Sequence, residues 1–251
     1  MSSPLLPERA LILAGGLGTR LASLISDRPK VLAPIAGRPF LDILVDELAS
    51  RGLRRFVLLL GNRHQQVIEH VAARQGQWPA GVTFEYSVES QPLGTGGAVK
   101  LAERFCDQRF LLLNGDTYFG LDLASLVAAH ERARPLLTVT AAEVADADRY
   151  GRLETSAAGY LTRYREKDVA AGPGLINAGI YLVEPALLGH IPVGRVASLE
   201  RDVFPALLAQ GQAIAVSPQT GAFFDIGTPA SYQSFTEFLA VRTAPTDRSD
   251  S

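Results

Sequence analysis

The stretch Leu13-Ala14-Gly15-Gly16-Leu17-Gly18-Thr19-Arg20-Leu21, followed by Arg28-Pro29-Lys30, holds the residues whose types and spacing best suit chemistry. Glycines directly after an apolar run let backbone N–H groups approach a phosphate, and a following cation offsets its charge. The run is not a P-loop, because the glycine-lysine-Ser/Thr ending is absent, and Leu21 stands where the dinucleotide fingerprint wants a third glycine or alanine. A tight strand-to-helix turn would explain the glycines but not Arg20 and Lys30. Asp116 closes Asn114-Gly115-Asp116 at the C-terminal end of an apolar run, the edge where open α/β sheets take ligands. Asp225 follows Phe223-Phe224 in the same way. Two carboxylates meeting from distant segments would suit Mg²⁺, which takes few protein oxygens and completes its shell with water and phosphate. Singly, each aspartate equally suits a turn or a cap.

Other chemistries find little footing. His64, His70, His130 and His190 show no metal-binding spacing, Cys106 is the single cysteine, and no Gly-x-Ser-x-Gly elbow occurs. A reaction that needs neither a protein nucleophile nor a protein base leaves this pattern, and nucleotidyl transfer onto a phosphate is one. The 251 residues carry a formal net charge of -2, which gives no general attraction for nucleic acid or acidic lipid. The first sixteen residues lack a basic region followed by a long apolar core, so neither a leader nor a membrane span is expected, and the expected location is cytoplasmic.

The elements that must position these residues follow a βαβ rhythm. Buried strands are expected at residues 10–14, 56–60, 82–87 and 110–113, alternating with helices over 40–52, 65–74, 98–105 and 123–133. In the second of these helices Val67, Ile68 and Val71 face inward. From residue 136 the pattern shifts to antiparallel strands at 137–144, 152–155 and 160–164, a strand at 180–183, a helix at 198–210 and strands at 213–217 and 223–226. Thr228-Pro229 then starts a last helix. The expected fold is α/β: a Rossmann-like, mostly parallel sheet flanked by helices, with a smaller antiparallel lobe. Residues 1–242 are expected to form one domain, with a nucleotide-binding half over about 10–135, a sugar-binding half over about 136–242, and a disordered tail at 243–251.

Taken in order, these motifs resemble those of the sugar-1-phosphate nucleotidylyltransferases, from about residue 10 to residue 238. The resemblance implies that Leu13, Ala14, Gly15, Gly16, Gly18 and Thr19 hold a nucleoside triphosphate, and that Arg20 and Lys30 are catalytic cations. It implies that Pro92-Leu93-Gly94-Thr95-Gly96-Gly97 is a base-contacting loop, with Gly94 and Thr95 among the nucleotide ligands beside Asn114. Asp116 and Asp225 would hold Mg²⁺, and Gly151, Glu166, Lys167 and Asn177 the sugar phosphate. Within the family the chain is most similar to guanylyltransferases acting on D-glycero-α-D-manno-heptose 1-phosphate, then to those acting on mannose 1-phosphate. Glu89 is the leading cue, since a carboxylate can accept from both N1–H and the 2-amino group of guanine; a solvated residue after a strand is its plainer reading. The expected partners are GTP and a sugar 1-phosphate, without nucleic acid or membrane, with a homodimer as one possible assembly. Neither an appended left-handed β-helix nor an allosteric insertion is expected. A uridylyl- or thymidylyltransferase and a catalytically silent nucleotide-sugar sensor remain alternatives. A glycosyltransferase is disfavoured because Tyr118 stands where an Asp-x-Asp motif needs its second carboxylate, and a glycosidase would leave the Gly-Thr-Arg loop unexplained.

Overall fold

The computed structural model describes residues 6–16, 25, 27–147, 150–165 and 172–243. The chain opens with β1 (Arg9–Leu13), a small hairpin of β2 (Pro34–Ile35) and β3 (Arg38–Pro39), and α1 (Phe40–Ser50). β4 (Arg55–Leu60), α2 (His64–Ala73), β5 (Thr83–Val88), α3 (Gly94–Leu101), β6 (Phe110–Asn114), β7 (Thr117–Phe119) and α4 (Leu123–Ala133) follow. The second half comprises β8 (Leu137–Val144), β9 (Arg152–Thr155), β10 (Leu161–Arg165), β11 (Gly174–Val183), α5 (Phe204–Ala209), β12 (Ile214–Gln219), β13 (Phe223–Asp225) and α6 (Pro229–Thr243).

β1 pairs in parallel with β4 on one side and β6 on the other, and β4 pairs in parallel with β5. Covered on both faces, these strands read as unbroken apolar runs, and Ala10, Leu11, Ile12, Val57 and Leu58 are fully buried. β11 extends the sheet antiparallel to β6, and its far edge pairs with β8, beside which β12 runs parallel. β9 and β10 add to the same nine-stranded sheet. The antiparallel lobe is therefore continuous with the main sheet. No helix of the described residues is long and apolar enough to cross a membrane.

Three elements depart most from the expected pattern. The third helix begins at Gly94 instead of residue 98 and ends at Leu101, with a 3₁₀ turn over Glu103–Phe105. Its buried Gly96 and Gly97 lie against the backbone carbonyls of Ala197 and Arg195, where a Cβ would not fit, so close packing outweighs poor helix propensity. The helix expected over 198–210 opens as a π-type turn at Leu199–Val203 before α5, because Pro205 cannot donate back into a preceding turn. β11 is longer than residues 180–183, and its pairing with β8 slips between Asn177 and Tyr181 around Gly179, at φ +68°.

α6 fastens the C-terminal segment onto this frame. Thr228 Oγ1 accepts from the Ser231 N–H at 3.3 Å and caps the helix. The fully buried Phe235 sets its ring 5.7 Å from Phe40, 4.8 Å from Tyr118 and 5.1 Å from Phe224, clamping the β7–β13 pair. Phe235→Ala should therefore lower unfolding stability by about 3–5 kcal/mol. Urea denaturation checks this, and an unchanged midpoint would show that the aromatic cluster does not hold α6.

Candidate active site

The ends of the parallel strands converge on a cleft of about 320 Å³. The β1 end supplies Leu13, Ala14, Gly15 and Gly16; β4 contributes Leu59, and the loop after β5 brings Glu89, Pro92, Gly94 and Thr95. Asn114, Gly115 and Asp116 arrive from β6, and Lys30 enters from the 3₁₀ turn Lys30–Leu32. Backbone bonds set these ends against one another. Ala14 N–H donates to the Leu59 carbonyl at 2.8 Å, and Gly115 N–H donates to the Leu13 carbonyl at 2.9 Å. A Cβ on Gly115 would run into that Leu13 carbonyl, whereas one on Gly16 would meet open space.

Lys30 joins the two aspartates. Its Nζ lies 2.7 Å from Asp116 Oδ2 and 3.9 Å from Asp225 Oδ1, with only 13% of the lysine side chain exposed. The aspartates meet because β7 and β13 pair antiparallel, Thr117 opposite Asp225, and because Ile226 N–H donates to the Asp116 carbonyl at 2.9 Å. Asp225 Oδ1 also accepts from Gly227 N–H at 2.6 Å, which fixes its rotamer. Two partly exposed carboxylates within reach of one ammonium form a hard-oxygen donor pair that fits a divalent cation shared with phosphate and water.

Glu89 braces the loop between β5 and α3. Its Oε2 accepts from Leu93 N–H at 3.0 Å, and its Oε1 lies beside Gly15 and Gly61. Burial pushes its carboxyl above the ordinary glutamate value, partly offset by the Leu93 hydrogen bond. Leu93, Gly96 and Gly97 are clasped by Ala197: Ala197 N–H donates to the Leu93 carbonyl at 2.8 Å, and its carbonyl accepts from Gly96 at 2.8 Å and Gly97 at 3.1 Å. The Thr95 hydroxyl lies 3.3 Å from Glu200 Oε2 and accepts from Leu199 N–H at 2.8 Å, so its side chain serves the loop's anchorage.

On the second half, Gly151 packs under the Tyr164 ring, which leaves no room for a Cβ, and its carbonyl accepts from Asn177 N–H at 3.2 Å. Asn177 faces inward at the β11 irregularity, and Gly179 in the same irregularity rests on the Asn114 amide. Neither Gly151 nor Asn177 lines the 320 Å³ cleft. Gly18, Thr19, Arg20, Glu166 and Lys167 lie outside the described residues.

Sequence reasoning passed over Gly61, Tyr181 and Glu200. A glycine ending the apolar run of β4 was the available signal for Gly61, whose absent side chain admits the Gly15 carbonyl. Nothing in the local sequence marks Tyr181, which sits inside a run of strand residues, or Glu200, which reads as an ordinary helix-start acid.

The sequence profile of the nucleotidyl transferases matches residues 9–242. The chain is 32% identical over 230 residues to the D-glycero-alpha-D-manno-heptose 1-phosphate guanylyltransferase of Campylobacter jejuni, spanning 90% of this chain and 98% of that protein. It is 33% identical over 238 residues to the mannose-1-phosphate guanylyltransferase of Mycobacterium tuberculosis, spanning 94% of this chain and 66% of that relative, just under two thirds of its length. Among solved structures, HddC from Yersinia pseudotuberculosis complexed with GMP-PN superposes with a TM-score of 0.82 at 32% identity, over 92% of this chain and 99% of that one.

The cleft's dependence on close backbone approach gives a paired expectation. Gly115→Ala should cost about 1–3 kcal/mol, because the colliding atom is a backbone carbonyl that cannot swing aside. Gly16→Ala should change stability by less than about 0.5 kcal/mol. Thermal unfolding of the two variants checks this; equal shifts would sink the steric account.

Proposed function

The chain belongs to the nucleotidyl transferase family, and on that premise we propose that it transfers a guanylyl group from GTP to D-glycero-α-D-manno-heptose 1-phosphate, giving a nucleotide sugar and pyrophosphate. The observation that carries the reaction class is the convergence of Lys30 and Asp116, which line a glycine-walled cleft, with Asp225, whose Oδ1 lies 3.9 Å from the same ammonium. An oxygen of the acceptor phosphate attacks the α-phosphorus, a new P–O bond forms, and the bond to the β-phosphate breaks as pyrophosphate leaves. A phosphate oxygen is already anionic at neutral pH, so no protein base has to remove a proton. The backbone at Gly15 and Gly16 receives the triphosphate, and Lys30 draws the two anionic reactants together. Asp116 and Asp225 are the residues that would hold Mg²⁺, which when bound supplies positive charge beside the α-phosphate and the attacking phosphate.

Glu89 supports the choice of guanine. It stands at the cleft wall with one oxygen on Leu93 and the other toward Gly15 and Gly61, and a carboxylate there can accept from the N–H groups on guanine's Watson–Crick edge. The GMP-PN complex of the Yersinia structure supports a guanine nucleotide from the side of the relatives. Heptose is favoured as acceptor because a heptose enzyme aligns along nearly all of both chains. Mannose 1-phosphate is the second reading, carried by a relative matched at comparable identity. Both names share the manno ring, and the heptose adds one carbon beyond it.

Pyrophosphate release with Mg²⁺ tests this, crossing GTP, UTP, dTTP and CTP with heptose, mannose, glucose and N-acetylglucosamine 1-phosphates. GTP with the heptose phosphate should give the highest kcat/KM. Turnover with another nucleotide would retain the reaction and overturn the guanine assignment, and silence across the grid would favour a nucleotide-sugar sensor. Asp116→Asn and Asp225→Asn should each lower turnover at least about a hundredfold with the circular dichroism unchanged; near-normal turnover in either would remove that residue from the metal site.

Glu89 also gives the nucleotide step a pH signature. If its carboxylate accepts from guanine, the KM for GTP rises as the pH falls through a value above the ordinary glutamate range, because burial raises the pH at which it takes a proton. Glu89→Gln should abolish this rise; a Gln variant with the same pH profile would assign the ionisation elsewhere.

A further inference from the structure

We infer that Tyr181 and Glu200 are positioning residues that tie the nucleotide-side loop to the sugar-side irregularity of β11, holding the two half-sites in register. The inference rests on the reading of those half-sites given above, but neither side chain lines the cleft.

A continuous hydrogen-bond chain makes the tie. At the sugar side, Gly179 N–H donates to Asn177 Oδ1 at 2.9 Å, and Asn177 Nδ2 donates to the Tyr181 hydroxyl at 2.8 Å. The Tyr181 hydroxyl donates onward to Glu200 Oε1 at 2.7 Å. Glu200 Oε2 then accepts from Ser198 Oγ at 3.0 Å and from Thr95 Oγ1 at 3.3 Å, and Thr95 belongs to the base-side loop. Proton directions are forced throughout. Tyr181 spends its acceptor on Asn177 and its only proton on Glu200; Thr95 spends its acceptor on Leu199 N–H and its only proton on the same carboxylate. Glu200 must therefore be an acceptor at both oxygens, which an amide cannot be.

The chain is more than packing. Backbone bonds through Ala197 already dock the loop, so the side-chain path is not needed merely to keep it in place. What the path adds is a fixed relation between that loop and β11. Tyr181 is itself immovable: its ring is fully buried, set edge-on to Phe204 at 6.2 Å. Burial and the Glu200 charge push its hydroxyl well above the ordinary tyrosine value, so it stays a donor at every working pH. At the other end, Gly179 rests on Asn114, which lines the cleft. A displacement at either end is thus transmitted to the other through groups that have one hydrogen-bonding solution.

Tyr181→Phe deletes the central hydroxyl, and Glu200→Gln keeps the volume while reversing one end of the acceptor pair. In steady-state assays with GTP and the preferred sugar 1-phosphate, each variant should raise the KM of both substrates about two- to tenfold, with a smaller change in kcat. The double variant should be no worse than the more affected single one, as expected for groups acting as a unit. Hydrogen exchange of the unliganded full chain should quicken in both segments 92–97 and 175–179. A rise in one KM alone, exchange that quickens only in 175–179, or additive effects in the double variant would overturn the tie. Should Tyr181→Phe fail to fold, Glu200→Gln carries the same readouts. Absence of turnover in the unmodified protein would defeat the proposed reaction, while the exchange measurement would still decide the tie.

Discussion

The contact of Lys30 with Asp116, and the approach of Asp225 to the same ammonium, is the constraint on which the rest of the molecule depends. The three residues come from a turn after the glycine loop, from the end of a central strand and from a segment more than a hundred residues later. No local propensity can join them. The parallel sheet brings the β6 end beside the β1 end, the β7–β13 pairing lays Asp225 against Thr117, and the Phe235 cluster presses α6 onto that pair. Each of these is an ordinary packing solution, and their sum is a site.

Much of this could be read from the chain itself. The unbroken apolar runs of β1, β4 and β6 declare strands buried on both faces, and the glycines and aspartates at their C-terminal ends declare a ligand edge. Because period and edge rule are both local signals, Asp116 and the Gly15–Gly16 turn could be assigned a place before any contact was known. What escaped was set by tertiary approach. α3 starts within its glycine cluster because the Ala197 carbonyl needs bare Cα atoms there, and no residue between 94 and 97 announces that neighbour. Thr95 reads as a ligand by its place in a motif, yet its hydroxyl is spent on Leu199 and Glu200, so only the fold could say which of its groups face the cleft. Tyr181 and Glu200 were invisible for the same reason: their roles exist only as a pair.

On the proposed reading, Glu89 carries structure and recognition together. Its Leu93 bond holds the loop that forms the cleft wall, and its second oxygen lies beside Gly15 and Gly61, just past the ends of β1 and β4. Glycine at both positions is what lets the carboxylate stand there, since a Cβ on Gly61 would fall 2.8 Å from Oε1 and one on Gly15 at 3.0 Å. A carboxylate fixed in this way has lost its rotamer freedom before a base arrives, so less ordering remains to oppose binding.

Charge at the centre of the site sets a further constraint. One ammonium and two carboxylates leave the Lys30 cluster formally negative, yet the proposed reactants are a triphosphate and a sugar phosphate, both anions. Left as it stands, the cluster would repel the phosphates it is placed to receive, and the repulsion would be strong in a partly desolvated cleft. A divalent cation held by Asp116 and Asp225 would supply the positive charge that reverses this sign, and Lys30 would then serve the phosphates. On the proposed reaction the salt bridge is a resting arrangement: it keeps a nearly buried ammonium beside two partly exposed carboxylates, without a rearrangement of the backbone that carries them.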